Sequence, residues 1–487
     1  MGEEAAVTSA YEEALTHEVP GGHLTVGGGE PAGKGGIWGW ALFDWALNPY
    51  FILVNIFVFA PYFSGSVVGD PVKGQAAWGY VQATAGVTIA LLSPFFGSLA
   101  DAAGPRKPGI LVFSLIASIG MFGLWFAVPG DPMVIVIVAA CVIIAATNLE
   151  FAVVYHNAML PAIVARRRLG FISGLGIATG YVGAILAFVL WLALFSLPDV
   201  PFLGLDKAAH EHNRIVGPMS ALWLWVFALP FFFLTPDQGR TGRRRMEAVR
   251  HGIKMIVGTV RKLPHYKNIA LYLAARMTYY DGQSAVFIFT GVYAAGIFGW
   301  ETSQIGIYGL LIIMAQVPSS LAGGWIDDKI GSKATILLAL AAFAIGLVSL
   351  VGTTATTAIY FFELDGAVIE PATWLGHALN AAGFDTWPER IFMLLGISTG
   401  LFAGPSISSS RTMLARLAPP KMMAEFFGLY ALCGKATSFL APLTVAIVTN
   451  ATQSQRAGLG SVLFFIVAGM ILLIVVKEEQ SVAHTDH

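Results

Sequence analysis

Charge is scarce in this chain. Only 12% of its 487 residues are Asp, Glu, Lys or Arg, while 56% are hydrophobic; a soluble domain carries about 25% charged residues. The 28 basic residues are balanced by 29 acidic ones, so the basic surplus that holds nucleic-acid phosphates is missing and no nucleic-acid partner is expected. Cysteine is almost absent. Cys141 and Cys433 lie far apart in apolar stretches, which excludes a disulfide framework and a thiolate metal site. Nine of the ten histidines fall in tails or loops, His156 stands alone at the end of an apolar run, and no HExxH pattern, Walker loop or GxSxG elbow with triad partners occurs. These absences speak against an enzyme, against a metal or other cofactor, and against transport driven by ATP.

Long apolar runs are what the chain has instead. Residues 1–37, with Glu3, Glu4, Glu12, Glu13, Glu18 and a glycine-rich run from Gly27 to Gly36, have no apolar core for a signal peptide and read as a disordered tail. Runs of about 20 residues, enough to span a bilayer, then follow near 38–63, 76–99, 109–128, 133–156, 171–195 and 219–235. A basic stretch at 236–266 separates this first six from a second six near 267–296, 303–326, 334–353, 389–411, 422–450 and 456–476, before a short tail at 477–487. Lysine and arginine are retained on the cytoplasmic side of spanning helices. One set of loops collects Arg106, Lys107, Arg166–Arg168, the cluster from Arg240 to Lys267, Lys329, Lys333, Arg416, Lys421 and Lys477, and the other only Lys73, Lys207, Arg214, Arg390 and Arg456. Both termini and the basic linker are therefore expected in the cytoplasm, which requires an even number of spans. The linker could alternatively lie on anionic lipid.

The two sixes repeat each other. After the second run stands GSLADAAGPRKP, and after the eighth GGWIDDKIGSK. Gly97, Asp101, Gly104 and Arg106 are spaced four, three and two residues apart, as are Gly324, Asp328, Gly331 and Lys333. The expectation is a cytoplasmic gate: the first glycine permits close helix approach, the carboxylate caps a helix end, the second glycine turns the chain, and the cation pairs across the surface. The plain alternative is an ordinary short turn held inside by its positive charge.

Six positions stand out within the apolar runs: Asp44 and Asn48 in the first, Glu150 in the fourth, Arg276 and Asp281 in the seventh, Lys435 in the eleventh. Burying such groups in lipid is unfavourable unless a cavity or partner receives them. At a rise of roughly 1.5 Å per residue, Asp44 and Glu150 fall about 9 Å into their helices and Arg276 and Lys435 roughly 13–16 Å, near the bilayer centre. Arg276 or Lys435 could hold an anionic substrate group, and Asp44, Glu150 or Asp281 an amine or a coupling proton. Equally, any of them could form a structural ion pair, and Asn48 could serve backbone freed by Pro49. Arg276 and Asp281, five residues apart, should find partners on other helices. The hydroxyls of GPSISSSR, from Gly404 to Arg411, suit close packing or a polar cavity, and the tryptophans are expected to be interfacial anchors.

The repeated loop resembles the signature loop of the major facilitator superfamily. That resemblance covers the chain after residue 37 and implies an all-α integral membrane fold, twelve transmembrane helices in two six-helix halves, with a substrate site at mid-depth and alternating access. Further segments, WALFDWALNPY, YHNAMLP, ISGLGIATGYVGA, ARMTYYDG and AEFFGLYALCGKATSFLAP, resemble one branch, the "unknown major facilitator" family that includes the autophagy-related vacuolar amino-acid effluxers. Leu47 and Lys333 depart from that pattern. The narrower resemblance implies export of a small solute such as an amino acid; secondary active transport coupled to protons, by a monomer in a bacterial inner membrane, is expected with it. Carriers of sugars or drugs, and a receptor or scaffold built on the same fold, are the alternatives.

Overall fold

The chain folds as a bundle of helical passes, seen in a computed structural model that describes residues 24–25, 29–165, 168–237, 239, 266–364, 366–418, 426, 429–430, 433–434 and 436–477. In order they are α1 (Lys34–Val67), α2 (Pro71–Ala103), α3 (Lys107–Phe126), α4 (Pro132–Ile163), α5 (Leu169–Trp191), α6 (Val216–Leu234), α7 (Lys267–Phe298), α8 (Thr302–Ile330), α9 (Ser332–Val351), α10 (Trp387–Leu417), α11 (Leu440–Thr452) and α12 (Gln455–Val475). Nine helices, among the described residues, are long and apolar enough to cross a membrane. The remaining passes are α2 and α7, which have the length but carry more glycine and polar residues, and α11, whose expected beginning near 422 lies outside the described residues. This architecture is consistent with the twelve spans expected.

Helix starts at the end remote from the termini are written into the sequence. Asp70 accepts from the Val72 and Lys73 amides, both at 2.9 Å, with Pro71 in the first turn. Asp131 does the same for Met133 before Pro132. Glu301–Gln304 and Thr386–Glu389 form reciprocal capping boxes for α8 and α10. Each satisfies amides that a helix start leaves unpaired.

Outward apolar stripes face the position of lipid, as Leu115, Ile119 and Phe122 on α3, Leu222, Val226 and Phe233 on α6, and Leu338 and Ile345 on α9 show. Helix α1 is the most enclosed of the nine apolar spans. Within the first half α1 packs on α5 and α6, and α4 on α2 and α3; within the second, α7 packs on α12, and α10 on α8 and α9. The sequence repeat is thus a packing repeat.

The halves meet along α2 and α11. At the end remote from the termini, Gln75 donates to Thr449 Oγ1 (2.9 Å) and the Gln455 carbonyl (3.0 Å), while Gln455 donates to the Pro71 carbonyl (2.8 Å). A methyl group on Gly79 would lie 2.8 Å from the Pro442 carbonyl, so the two backbones touch with no room for a side chain.

Two expectations about the fold change. Part of the stretch read as a disordered tail is ordered: α1 starts at Lys34, Gly36 is buried, and the Ala32 amide donates to the Ile163 carbonyl at the end of α4. The tryptophans divide: Trp78 and Trp191 are internal, whereas Trp325, Trp374 and Trp387 are exposed, as interfacial anchors would be. Trp40 and Trp300 are buried, while Trp38 is half exposed; an indole N–H needs an acceptor when it is buried, and Trp40 finds it in the His156 carbonyl. The basic linker between 240 and 265 and the tail beyond 477 lie outside the described residues.

Candidate functional site

Pro49 lacks an N–H, so the carbonyl of Trp45, four residues earlier, has no helical partner. The Trp223 indole of α6 donates to it at 3.2 Å, while Asn48 donates from Nδ2 to the Asp44 carbonyl at 2.9 Å. Asn48 therefore serves local backbone, and the carbonyl freed by proline is served by Trp223. Beyond Pro49 the helix widens into π-helical turns at Tyr50–Phe57 and Phe63–Val67, a distortion that collects at functional segments.

Between the halves lies a cavity of about 130 Å³, smaller than the roughly 300–1,000 Å³ of a drug-sized pocket. Ile52, Ile56 and Phe57 come from the π-helical part of α1, Tyr181 from α5, Tyr280, Gln283, Ser284 and Phe287 from α7, Ile312, Ile313 and Gln316 from α8, and Ile407 from α10. Its wall is apolar with two amides and three hydroxyls. No ionised side chain is among these lining residues.

Behind that wall α7 and α10 are tied by a polar ladder. Tyr272 donates to the Ser410 carbonyl, Tyr279 shares a 2.6 Å hydrogen bond with the Ser410 hydroxyl, and the Gln283 amide donates to Ser406 at 2.9 Å. Ser406 and Ser410 of the GPSISSSR segment thus pack α10 against α7, Ser408 lies toward Gly323 of α8, and Ser406 orients Gln283.

Arg276 sits one side-chain layer from the cavity. Its guanidinium carbon is 3.5 Å from the Tyr430 ring centre and 4.8 Å from that of Tyr280, a cation held between two aromatic faces. One nitrogen donates to the Tyr430 carbonyl (3.1 Å), and Nε is buried with no hydrogen-bond partner among the described residues. Asp281 points elsewhere: it is buried and accepts from the Ala441 amide at 3.2 Å, at the start of α11. The two do find partners away from each other, as their spacing requires. Lys435 lies outside the described residues.

Asp44 meets two other helices. Its Oδ1 is 3.9 Å from His156 Nδ1 of α4, and its other oxygen lies where a methyl group on Gly176 of α5 would fall. His156 is fully buried, stacked on Trp40 at 4.5 Å. It does not stand alone, as the sequence suggests. Glu150 is half-buried on α4.

In the repeated loops the two second glycines do what their position demands. Gly104 and Gly331 have φ of 81° and 86°, a backbone region that side chains disfavour. The close approach and the buried carboxylate of the second half fall one residue earlier than the spacing predicts. A methyl on Gly324 would meet nothing within 4 Å, whereas one on Gly323 would lie 2.5 Å from Pro405 Cα. Asp328 is exposed, whereas Asp327 is buried, 2.9 Å from Arg416 and accepting from Ser332 at 2.9 Å. In the first half Gly97 has only ordinary contact with Val154, and Asp101 lies in the last turn of α2. The cations also donate to carbonyls near the ends of other helices. Arg106 donates to the Ala158 carbonyl of α4, Lys107 to Phe232 of α6 (2.8 Å), and Lys333 to Ile474 and Val476 of α12 (2.8 and 2.7 Å). Carbonyls at a helix C-terminus have no internal partner and carry partial negative charge, which a lysine relieves.

No group of three or more His, Cys, Asp or Glu poised to hold a metal is present among the described residues. Sequence reasoning missed the uncharged wall. Tyr280 and Gln283 lie in or beside the ARMTYYDG segment, but nothing marks Gln316 or Tyr181 as special.

Comparison with known proteins agrees with this geometry. Residues 64–485 match the family described as "Vacuole effluxer Atg22 like". An uncharacterized MFS-type transporter of Bacillus subtilis, YxiO, is 23% identical over 447 residues, covering 91% of this chain and 95% of that protein. Autophagy-related protein 22-1 of Neosartorya fischeri is 25% identical over 318 residues, 63% of this chain; the match spans about half, 48%, of that fungal relative. The crystal structure of a D-xylose–proton symporter superposes with a TM-score of 0.64 at 11% identity, over 91% of this chain and 98% of that one, a likeness of fold alone. A bundle built of two repeated six-helix units, with a small cavity between them and matched along most of its length, is a major facilitator transporter, and this chain belongs to the Atg22-like vacuole effluxer family.

Proposed function

We propose that this protein is a secondary active exporter of amino acids, coupled to protons, working by alternating access between its halves. The observation that carries this reading is the 130 Å³ cavity walled by helices of both halves. A compartment shared by two bodies changes its exposure when they rock. The Ile and Phe walls suit an apolar side chain, Gln283 and Gln316 suit a carbonyl or ammonium, and the partnerless Nε of Arg276 behind Tyr280 suits a carboxylate. Lys435 is assigned with Arg276 to anion attraction, Asp44 with Glu150 to the proton, and Asn48 and Asp281 to the shape of their helices. Gly97, Asp101, Gly104 and Arg106, with Gly324, Asp328, Gly331 and Lys333, belong to the cytoplasmic gate, joined there by Gly323 and Asp327. The family name, with its effluxers, supports export. The loop distribution of lysine and arginine supports cytoplasmic termini, and the full-length Bacillus relative supports a bacterial plasma membrane.

Proteoliposomes loaded with labelled amino acids, with and without an imposed proton gradient, test this. Gradient-dependent efflux is expected, and Gln316→Ala should raise the half-saturating concentration about tenfold, the worth of one hydrogen bond to substrate. Absence of flux for every amino acid, in protein shown to be folded, would leave the fold and remove the substrate class.

A further inference from the structure

His156 has one nitrogen committed and one not. Nε2 lies 2.9 Å from the Trp40 carbonyl, which can only accept, so Nε2 carries hydrogen whether the ring is neutral or charged. In the neutral ring Nδ1 is then a bare lone pair. It is buried without a hydrogen-bond partner among the described residues, and the Asp44 carboxyl stands 3.9 Å away, about 1 Å beyond hydrogen-bond reach. Asp44 keeps 16% of its side chain exposed while His156 has none, so a proton arriving from water meets the carboxyl first.

We propose that Asp44 and His156 together form the site that takes up and releases the coupling proton, and that its occupancy sets the position of α1 against α4. Empty, the pair is a carboxylate beside a neutral ring. Filled, it holds one added proton, on Asp44 or as an imidazolium facing a carboxylate. Both filled forms favour a hydrogen bond from one partner to the other, which the present gap forbids until the helices close. No bond other than the one to the proton changes, and the proton returns to water unchanged. Eight residues on from Asp44, about 12 Å along the helix, Ile52 reaches the cavity wall. Movement of α1 at Asp44 is thereby felt where substrate would lie.

Three other helices and one neighbouring turn pack around the pair. From α5 come Gly176 and the Thr179 hydroxyl, bonded to the Ala41 carbonyl. From α6 comes Phe231, 5.6 Å from the His156 ring, with Lys107 on that phenyl ring 5.9 Å from its centre and bonded to Phe232. Near the end of α4, Arg106 is held at the Ala158 carbonyl. Lys107 and Arg106 are thus bonded to carbonyls of α6 and α4, and Glu150, half-buried six residues before His156, is the acid that α4 itself carries.

This inference rests on the transport reading, and its test separates the two. In proteoliposomes Asp44→Asn removes the carboxylate, and His156→Gln keeps an N–H for the Trp40 carbonyl while removing Nδ1. Both variants should lose gradient-driven accumulation of labelled amino acids and retain exchange of labelled for unlabelled amino acid. Retention of gradient-driven accumulation in both would overturn the proposal, as would loss of exchange in protein with an unchanged unfolding temperature. If wild-type protein moves no amino acid, the transport reading fails on its own, and infrared titration of the purified protein decides the proton site. A titrating protonated-carboxyl or imidazolium band that is lost or shifted both in Asp44→Asn and in His156→Gln supports it; titrating bands indifferent to Asp44→Asn overturn it. Should His156→Gln not fold, the response of that band to Asp44→Asn alone supports or overturns the proposal.

Discussion

Asp327 is buried against the Arg416 guanidinium at 2.9 Å, while Asp328, its neighbour, faces outward. Removing the charge from a buried, hydrogen-bonded carboxylate strands its partner, and Asp327→Asn should lower stability by about 1–3 kcal/mol. Asp328→Asn should stay within about 0.5 kcal/mol. Thermal unfolding in detergent distinguishes them, and equal effects would remove the assignment of Asp327 to the gate. The same residues show what a sequence discloses at this scale. Asp44 and Arg276 are conspicuous because ionised groups are rare in apolar runs. Which of two adjacent acids turns inward depends on helix phase at a turn, and spacing alone does not fix it. Gln283 and Gln316 are invisible for another reason: an amide is commonplace in a helix until the partner helix is known. His156 looks solitary because Asp44 is 112 positions away in the chain.

Helices α1 and α5 show how elements are fitted. Gly176, Gly180 and Gly183, one or two turns apart on α5, receive Asp44, Asn48 and Trp45 of α1. A methyl on Gly183 would lie 2.7 Å from the Trp45 carbonyl oxygen, an obstacle on the backbone, whereas one on Gly97 would rest 3.7 Å from Val154. Gly183→Ala is therefore expected to destabilise by about 1–3 kcal/mol through overpacking, and Gly97→Ala to be near neutral. Fluorescence-monitored melting of the two variants side by side checks this. Both partner segments, WALFDWALNPY and ISGLGIATGYVGA, are prominent in the sequence, but their contact is a tertiary fact. Helix number and order are legible because a bilayer demands long apolar runs. The hairpin pairing Thr357 with Glu363 and the helix Trp374–Ala381, between α9 and α10, are too short and irregular to leave such a mark.

At the scale of the whole molecule the halves are joined where Gln75, Thr449 and Gln455 interlock. That seam is buried, and its hydrogen bonds have no replacement until water enters. Gln75→Leu should shift the population toward states open at that end. Spin labels at exposed Lys73 and Thr452, in a background with Cys141 and Cys433 replaced by serine, would report it as growth of the longer-distance fraction; an unchanged distribution would show that the interlock does not hold the seam closed. The division into halves is legible from the repeated loop, while their manner of meeting is not, because residues of the seam are ordinary in isolation. The lysine caps on α6 and α12 carry one more implication. Each half thus has its last helix tied to its own second turn, a latch set within one half that asks nothing of the other, so rocking of the halves can leave both latches fastened.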